Sequence, residues 1–321
     1  MEASNANSNA AGAVSAMAAM LFFSLNDVFI KFLSDAYPLH EVVLARSVIG
    51  MITVFIIILP FTGGFKTLKT HLLAMHLLRG GCVVFANTCF FMGLASMPLA
   101  DAVAIFFVSP LLITIFSVVF LREIVGLRRW SATVIGLIGV LIIVRPGTSA
   151  FQIVSILPIM AAVGYAFLHI LTRRIGGTES ATTMTFYIQL TFIIVSLSIG
   201  ICVGDGRFDD QSNESLTFLL RAWQTPELEH IWILVLLGVT STGGGFFISY
   251  AYRRSAAAFV APFEYVAMLM AIIWGYVIFD ELPDAASWLG MILIVASGMY
   301  MVFRDIQLRP NLTGNRPKLR R

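Results

Sequence analysis

Residues 94–146 decide the fold of this chain, and they read LASMPLADAVAIFFVSPLLITIFSVVFLREIVGLRRWSATVIGLIGVLIIVRP. In this stretch two long apolar spans flank a short charged loop. The same pattern returns at residues 252–303, as YRRSAAAFVAPFEYVAMLMAIIWGYVIFDELPDAASWLGMILIVASGMYMVF. In both copies a glutamate precedes a tryptophan by seven residues, as Glu123 and Trp130 and as Glu281 and Trp288. A repeat of about 158 residues in a chain of 321 indicates two homologous halves.

The composition is that of a membrane protein. The chain is 58% hydrophobic and 12% charged, and its mean hydropathy is +0.88. A soluble domain carries about 25% charged residues, so this chain has too few to cover a water-soluble globule of its size. The cysteines Cys82, Cys89 and Cys202 match no metal or redox spacing, and we interpret them as small packing residues.

Ten apolar stretches follow one another along the chain, each close to the roughly 20 residues that a helix needs to cross a bilayer. They lie at about 11–34, 39–60, 74–96, 100–121, 129–145, 153–172, 182–204, 230–252, 256–279 and 285–304. Lipid cannot satisfy backbone polar groups, so we expect an all-α membrane protein. Most links are short, which makes neighbouring spans antiparallel, and the one long link covers residues 203–229.

The distribution of lysine and arginine predicts the orientation. With a cytoplasmic N-terminus, fifteen of these residues lie on the inner side and four on the outer side, so both termini are expected in the cytoplasm. Five spans per half is an odd number, so the second half enters from the opposite side, as in the inverted repeats of many secondary transporters. The predicted parts are a polar tail at 1–10, a first five-helix half at 11–146, a second half at 153–304 and a basic tail at 305–321.

Several motifs resemble those of a known family. The loops LREIVGLRRW and FDELPDAASW, the Ser109-Pro110 step and the TRR that ends the sixth span are similar to those of EamA-domain members of the drug/metabolite transporter superfamily. SLNDVFIKF, LHEVVLARS and APFEYVAML resemble its bacterial branch of S-adenosylmethionine uptake and riboflavin transporters. The resemblance covers about residues 11–304. It implies ten transmembrane helices as two inverted five-helix EamA repeats around a central cavity, with no ATPase.

The first candidate site residues are charges inside spans one and two. Each intramembrane charge costs at least about 2.5–3.5 kcal/mol to insert, so it needs a partner or water. Asp27 and Arg46 have equal depth on consecutive antiparallel spans, which predicts an ion pair. This pair either faces the cavity, where it binds substrate or opens a gate, or it only joins two helices. Asn26 points about 100° away from Asp27 and can serve a helix contact or the substrate.

Glu264 is the corresponding candidate in the second half, two residues after Pro262. Proline breaks are typical of helices that line cavities. The carboxyl either couples proton movement or anchors substrate, or it is a structural partner of Arg79 on span three. Tyr265 is expected to line the cavity or to pack.

The remaining candidates have evenly balanced alternatives. Arg79 and His169 either take part in structure or coupling, or extend to the inner headgroups. Asn87, Tyr165 and Gln189 are uncharged, so helix–helix hydrogen bonding explains them about as well as ligand binding does.

Three classes of function are compatible with such a chain: a secondary transporter, an intramembrane enzyme and a helical scaffold. An enzyme would need a nucleophile–base or metal cluster, and the sequence has no HExxH, GxSxG or clustered histidines. A scaffold would have no reason to retain Asp27, Arg46 and Glu264. We therefore expect a transporter, with no catalytic residues, cofactor, bound metal or nucleic-acid partner.

Paired acid and base residues within the spans, together with many aromatic residues, suit a zwitterionic or aromatic-bearing organic solute. The branch resemblance implies uptake across the bacterial inner membrane of a preformed cofactor or vitamin such as riboflavin or S-adenosylmethionine. Export of amino acids or related metabolites is the alternative. The expected partners are this small molecule, membrane lipid and protons as coupling ion, for a monomer or homodimer.

Overall fold

A computed structural model describes residues 2–122, 126–148, 152–175, 179–209, 213–254 and 263–308, and no strand occurs among them. Its α2 (Leu39–Thr53) continues through a π turn, Val54–Ile58, and a last turn, Leu59–Phe61. The other helices are α1 (Glu2–Ser34), α3 (Leu73–Ser96), α4 (Leu99–Phe106), α5 (Ser109–Leu121), α6 (Leu127–Val144), α7 (Ile156–Ile175), α8 (Ala181–Val203), α9 (Glu214–Leu220), α10 (Leu228–Arg254), α11 (Val266–Phe279) and α12 (Ala285–Leu308).

Within the described residues, seven helical segments are long and apolar enough to cross a bilayer. They are Gly12–Ser34, Leu39–Phe61, Leu73–Ser96, Leu99–Phe120, Ile153–Thr172, Thr182–Val203 and Leu228–Ile248. Shorter apolar helices lie at Trp130–Val144, Val266–Phe279 and Ala285–Tyr300, at the places of the fifth, ninth and tenth predicted spans. The chain is therefore an all-helical, multi-pass membrane protein.

The fourth predicted span is interrupted in its middle. The chain leaves the helix at Phe107 and Val108, so residues 100–121 form α4 and α5 in place of one helix. The physical reason is Pro110, which has no N–H to donate to the carbonyl of Phe106 and whose ring displaces that carbonyl. Broken helices of this kind are tolerated at membrane depth where they line a cavity.

The last helices of the two halves pack against each other in opposite directions. A Cβ built on Gly136 would lie 2.7 Å from the Ser297 hydroxyl, and one on Gly139 would lie 3.0 Å from Ile294. One built on Gly290 would lie 2.6 Å from the Gly139 carbonyl oxygen. The residue numbers of the contacting positions on α12 thus decrease as those on α6 increase, so the two helices run antiparallel. Glycine lets their backbones approach closely.

The breaks in the two halves also meet. Phe107 lies at the break between α4 and α5, and Tyr265 lies at the start of α11, with ring centroids 5.2 Å apart in a stacked arrangement. Tyr265 follows Phe107 by 158 residues, the separation of Glu123 from Glu281. Equivalent positions of the two copies therefore touch, as expected near an axis that relates two halves. Glu123 itself lies outside the described residues.

We call the end of the bundle that carries residues 35–38, 97–98 and 280–284 the outer end, after the orientation that the lysine and arginine distribution predicts. There, Asp284 begins α12 by accepting a hydrogen bond from the Ser287 N–H at 2.8 Å, and it pairs with Arg145 at the end of α6. The hydrogen bond from Arg145 is the main reason why the pKa of Asp284 falls from 3.8 to about 2.

Candidate functional site

Arg46 on α2 carries a buried positive charge that its neighbours leave partly unsatisfied. The residue is 3% exposed, and its guanidinium carbon lies 4.7 Å from the ring centre of Phe192 and 5.3 Å from that of Phe91. Nη1 donates to Asn87 Oδ1 at 3.5 Å, a long hydrogen bond, and the buried Nε has no hydrogen-bond partner. An unused donor on a buried cation is a place where an anionic group of a ligand completes the hydrogen bonding.

Asp27 on α1 lies near this cation without touching it. The two charges attract each other through space, but no Arg46 nitrogen lies within 4.0 Å of the carboxyl oxygens. Instead Oδ1 accepts a hydrogen bond from the Asn26 side chain at 3.3 Å, and the buried Asn26 Oδ1 has no partner. The predicted direct ion pair is therefore wrong, because equal depth fixes the height of two side chains but not their direction around each helix.

A run of aromatic rings leads away from Arg46 through the bundle. Phe91 is 5.9 Å from Phe90, Phe90 is 5.0 Å from Phe106, and Phe106 is 5.3 Å from Tyr165, all measured between ring centroids. Phe106 and Tyr165 keep partly accessible surface, whereas Phe90 and Phe91 are buried. This arrangement gives the interior a polarisable apolar wall with a positive charge at one end.

An acid stands at the other end of this wall. Glu264 is partly accessible, and its charge acts on the hydroxyls of both Tyr165 and Tyr265. Tyr165 also meets the ring of His169 edge-on, with centroids 4.5 Å apart. Tyr265 is 8% exposed, which favours its packing role. The residue expected to break this helix, Pro262, lies outside the described residues.

Two predictions about Arg79 are wrong. Its side chain does not extend to the headgroups, since the residue is 4% exposed, and Nε donates to Thr172 at 3.0 Å. No ion pair joins it to Glu264. One turn earlier, His76 is fully buried, with Nε2 3.2 Å from a carboxyl oxygen of Glu179. The reason is that α3 packs closely on α7 and α8, which leaves these side chains no path to the lipid surface.

Gln189 holds two helices together. It is buried on α8, and its side-chain nitrogen lies 3.5 Å from the Thr242 hydroxyl on α10. A Cβ built on Gly50 of α2 would lie 2.6 Å from the same nitrogen, so three helices converge here. This geometry favours the helix-contact alternative for Gln189, whereas Asn87 belongs to the surroundings of Arg46.

Sequence reasoning missed a second charged cluster at the outer end. Lys31 Nζ lies 2.9 and 3.0 Å from the carboxyl oxygens of Glu281 and donates to the Met97 carbonyl at 2.7 Å. Glu281 Oε2 also accepts from the Leu99 N–H at 3.1 Å. Two signals were available: Lys31 follows Asp27 by one helical turn, and Glu281 marks the repeat. In the residues that the structure describes, no group of three His, Cys, Asp or Glu side chains is arranged to hold a metal ion.

Comparison with known proteins gives a consistent picture. The EamA-like transporter family matches residues 10–145 and 152–303. The S-adenosylmethionine uptake transporter of Rickettsia felis is 28% identical over 88% of this chain and 89% of its own length. The riboflavin transporter of Vibrio cholerae is 28% identical over 89% of this chain and 91% of its own length. The pseudopaline exporter CntI of Pseudomonas aeruginosa is 26% identical over 89% of this chain and 94% of its own length. One solved crystal structure shares the fold, with a TM-score of 0.65 and 17% identity over 94% of this chain and 99% of that one.

Proposed function

From the premise that this chain belongs to the EamA-like transporter family, and so is a metabolite transporter and not an enzyme, we propose a substrate and a direction. The proposed activity is secondary uptake of a preformed cofactor or vitamin across the bacterial inner membrane. Of the two compounds expected from the sequence, S-adenosylmethionine is the first choice and riboflavin the second. The names of the relatives at 28% identity support both.

One observation carries this order: a buried, incompletely satisfied Arg46 at one end of an aromatic wall and Glu264 at the other. S-adenosylmethionine has a carboxylate, two cationic groups and an aromatic purine. The carboxylate matches Arg46, a cationic group matches Asp27 or Glu264, and the purine matches the ring surface of Phe106 and Tyr165. Riboflavin has an aromatic ring system but no carboxylate, so a buried arginine gains less from it.

We propose ten transmembrane helices in two inverted halves, at 11–146 and 153–304, with both termini and the basic tail in the cytoplasm. The antiparallel contact of α6 with α12 supports this, because equivalent helices of inverted copies run in opposite directions. The stacking of Phe107 on Tyr265, 158 residues apart, supports it as well. The excess of lysine and arginine on one side supports the orientation.

We propose protons as the coupling ion, with Glu264 as the group that binds them. The support for this proposal is that the carboxyl keeps accessible surface inside the bundle and lies close to Tyr165 and Tyr265. Glu264→Gln should still exchange substrate between the two sides but lose the accumulation that a pH gradient drives. Unchanged accumulation in this variant would exclude Glu264 as the coupling group.

The experiment that tests substrate and direction together is growth rescue. Cells that cannot make S-adenosylmethionine, riboflavin or a given amino acid are supplied with that compound, with and without this chain. Rescue by external S-adenosylmethionine, absent with Arg46→Gln, supports the proposal. The second candidate, export of amino acids or related metabolites, is favoured by the similarity to CntI. Failure of every rescue, together with tolerance of a toxic amino-acid analogue, would support export.

A further inference from the structure

Lys31 is the centre of a contact that joins three parts of the bundle at its outer end. It extends from α1 to the Met97 carbonyl in the turn between α3 and α4, and to Glu281 in the loop before α12. Glu281 in turn accepts the backbone N–H of Leu99, the first residue of α4. The ring of Phe279 lies 5.1 Å from Nζ and adds a cation–π contact. One ammonium group therefore holds elements from both halves.

This contact borders a recess at the outer end of the bundle. A recess of about 360 Å³ lies against it, lined in part by Asp35, Glu214 and Pro98. The Glu281 side chain is 29% exposed, whereas that of Lys31 is 11% exposed. The carboxylate is therefore the more accessible partner of the pair, and the ammonium group is the more enclosed one.

Asp27 lies directly inward of Lys31 on the same helix. Residues four apart share a helix face, at a rise of about 6 Å, and an acid that precedes a base by four residues is the favourable order. Helical side chains also lean toward the N-terminus, which here means from Lys31 toward Asp27. Among the residues that the structure describes, no cation lies within 4.0 Å of the Asp27 carboxyl.

We propose that Lys31 is the moving part of an outer gate with two positions. When Lys31 is bound to Glu281 and the Met97 carbonyl, the outer end is closed. When it is released from them, its side chain moves inward by about one turn of α1 and pairs with Asp27. A cationic group of the substrate that reaches Asp27 displaces Lys31, which returns to Glu281 and closes the gate behind it. The site and the gate then share one carboxylate, so substrate binding favours the closed outer end. This inference rests on the proposed function, because only a transporter needs an outer end that opens.

The test measures how fast an impermeant maleimide, added outside, labels a cysteine inside the bundle. The protein is the full chain in intact cells, with Cys82, Cys89 and Cys202 replaced by serine. The reporter cysteine replaces Asn87, which keeps accessible surface beside Arg46. The measurement needs no substrate. It can therefore disprove the gate without disproving the proposed function, and it remains interpretable if the proposed substrate is incorrect.

Glu281→Gln removes the charge but keeps the size, and we expect it to raise the labelling rate about tenfold, as loss of a partly buried, charge-assisted contact implies. The matched control is Asp280→Asn, which removes the neighbouring exposed carboxylate and tolerates the left-handed backbone at that position, where φ is 55°. It should change the rate less than twofold. Lys31→Met should raise the rate as Glu281→Gln does.

Asp27→Asn tests the second position of the lysine. In the Glu281→Gln background it removes the partner of the released Lys31, so we expect the labelling rate to fall severalfold. In the Lys31→Met background the same change should have less than a twofold effect. Equal labelling of wild type, Glu281→Gln and Lys31→Met would overturn the gate. An Asp27→Asn effect that is the same with and without Lys31 would overturn the exchange of partners.

Discussion

Replacing Arg46 by glutamine tests the binding site most sharply. The buried Nε has no partner, and the Nη1 contact to Asn87 is long at 3.5 Å, so a substrate carboxylate gains a charge-assisted hydrogen bond that the empty site lacks. Such a bond contributes about 1.5–3 kcal/mol. At about 1.4 kcal/mol per tenfold change, its loss raises the half-saturation concentration for S-adenosylmethionine about 10- to 100-fold. The assay is exchange of labelled S-adenosylmethionine in proteoliposomes over a range of concentrations.

Two further variants separate binding from folding. Arg46→Lys keeps the charge but loses the planar group between the rings of Phe192 and Phe91, so an intermediate half-saturation concentration is expected. Arg79→Gln is the matched control, because it removes another buried arginine, one that bonds to Thr172. It should lower stability without changing half-saturation. An Arg46→Gln variant that saturates like wild type, or an Arg79→Gln variant that shifts equally, would refute the assignment of Arg46 to the substrate.

The remaining predictions concern packing, pH and topology. Gly139→Ala should lower stability in detergent by about 1–3 kcal/mol, because its Cβ would lie 2.8 Å from a backbone oxygen of α12. Gly81→Ala is the control, because a Cβ there would meet nothing within 4 Å, and it should be neutral or stabilising. Thermal unfolding of the two variants compares them. Asp284 has a depressed pKa of about 2, so its contribution to stability is complete above pH 3.8 and is lost as the pH falls through 2; Asp284→Asn should remove this pH dependence, and a parallel decline in both proteins would contradict it. A cysteine at Asp280 should react with an impermeant reagent on intact cells and one at Lys66 should not, whereas the reverse pattern would invert the proposed orientation.

Much of the fold follows from hydropathy, because length and apolar composition determine where a helix can cross the membrane. The predicted apolar stretches therefore coincide with helices of the structure, although α1 begins nine residues before the predicted first span. The break at Phe107 was missed because an uninterrupted apolar run conceals it, although Pro110 was the available signal. The packing of α6 against α12 could not be predicted from the sequence, because periodicity identifies a glycine-rich helix face but not the helix that packs on it.

The candidate site was predicted only in part. Buried charge is rare and easily seen in a sequence, so Asp27, Arg46 and Glu264 stood out, and they remain the proposed site. Their partners did not follow, because depth along a helix says nothing about rotation around it. For this reason Asp27 and Arg46 are neighbours without a direct ion pair. Lys31 was not among the candidates from the sequence, and only the fold brings Glu281, which is 250 residues away, within 3.0 Å of it.

The most direct test of whether this chain transports S-adenosylmethionine is a counterflow experiment. Proteoliposomes that contain the full chain are loaded with unlabelled S-adenosylmethionine and diluted into a trace of the labelled compound. The proposed function predicts a transient accumulation of label above the level in empty liposomes, suppressed by external S-adenosylmethionine and greatly reduced by Arg46→Gln. No accumulation above empty liposomes with S-adenosylmethionine, while riboflavin or an amino acid does exchange, would contradict it.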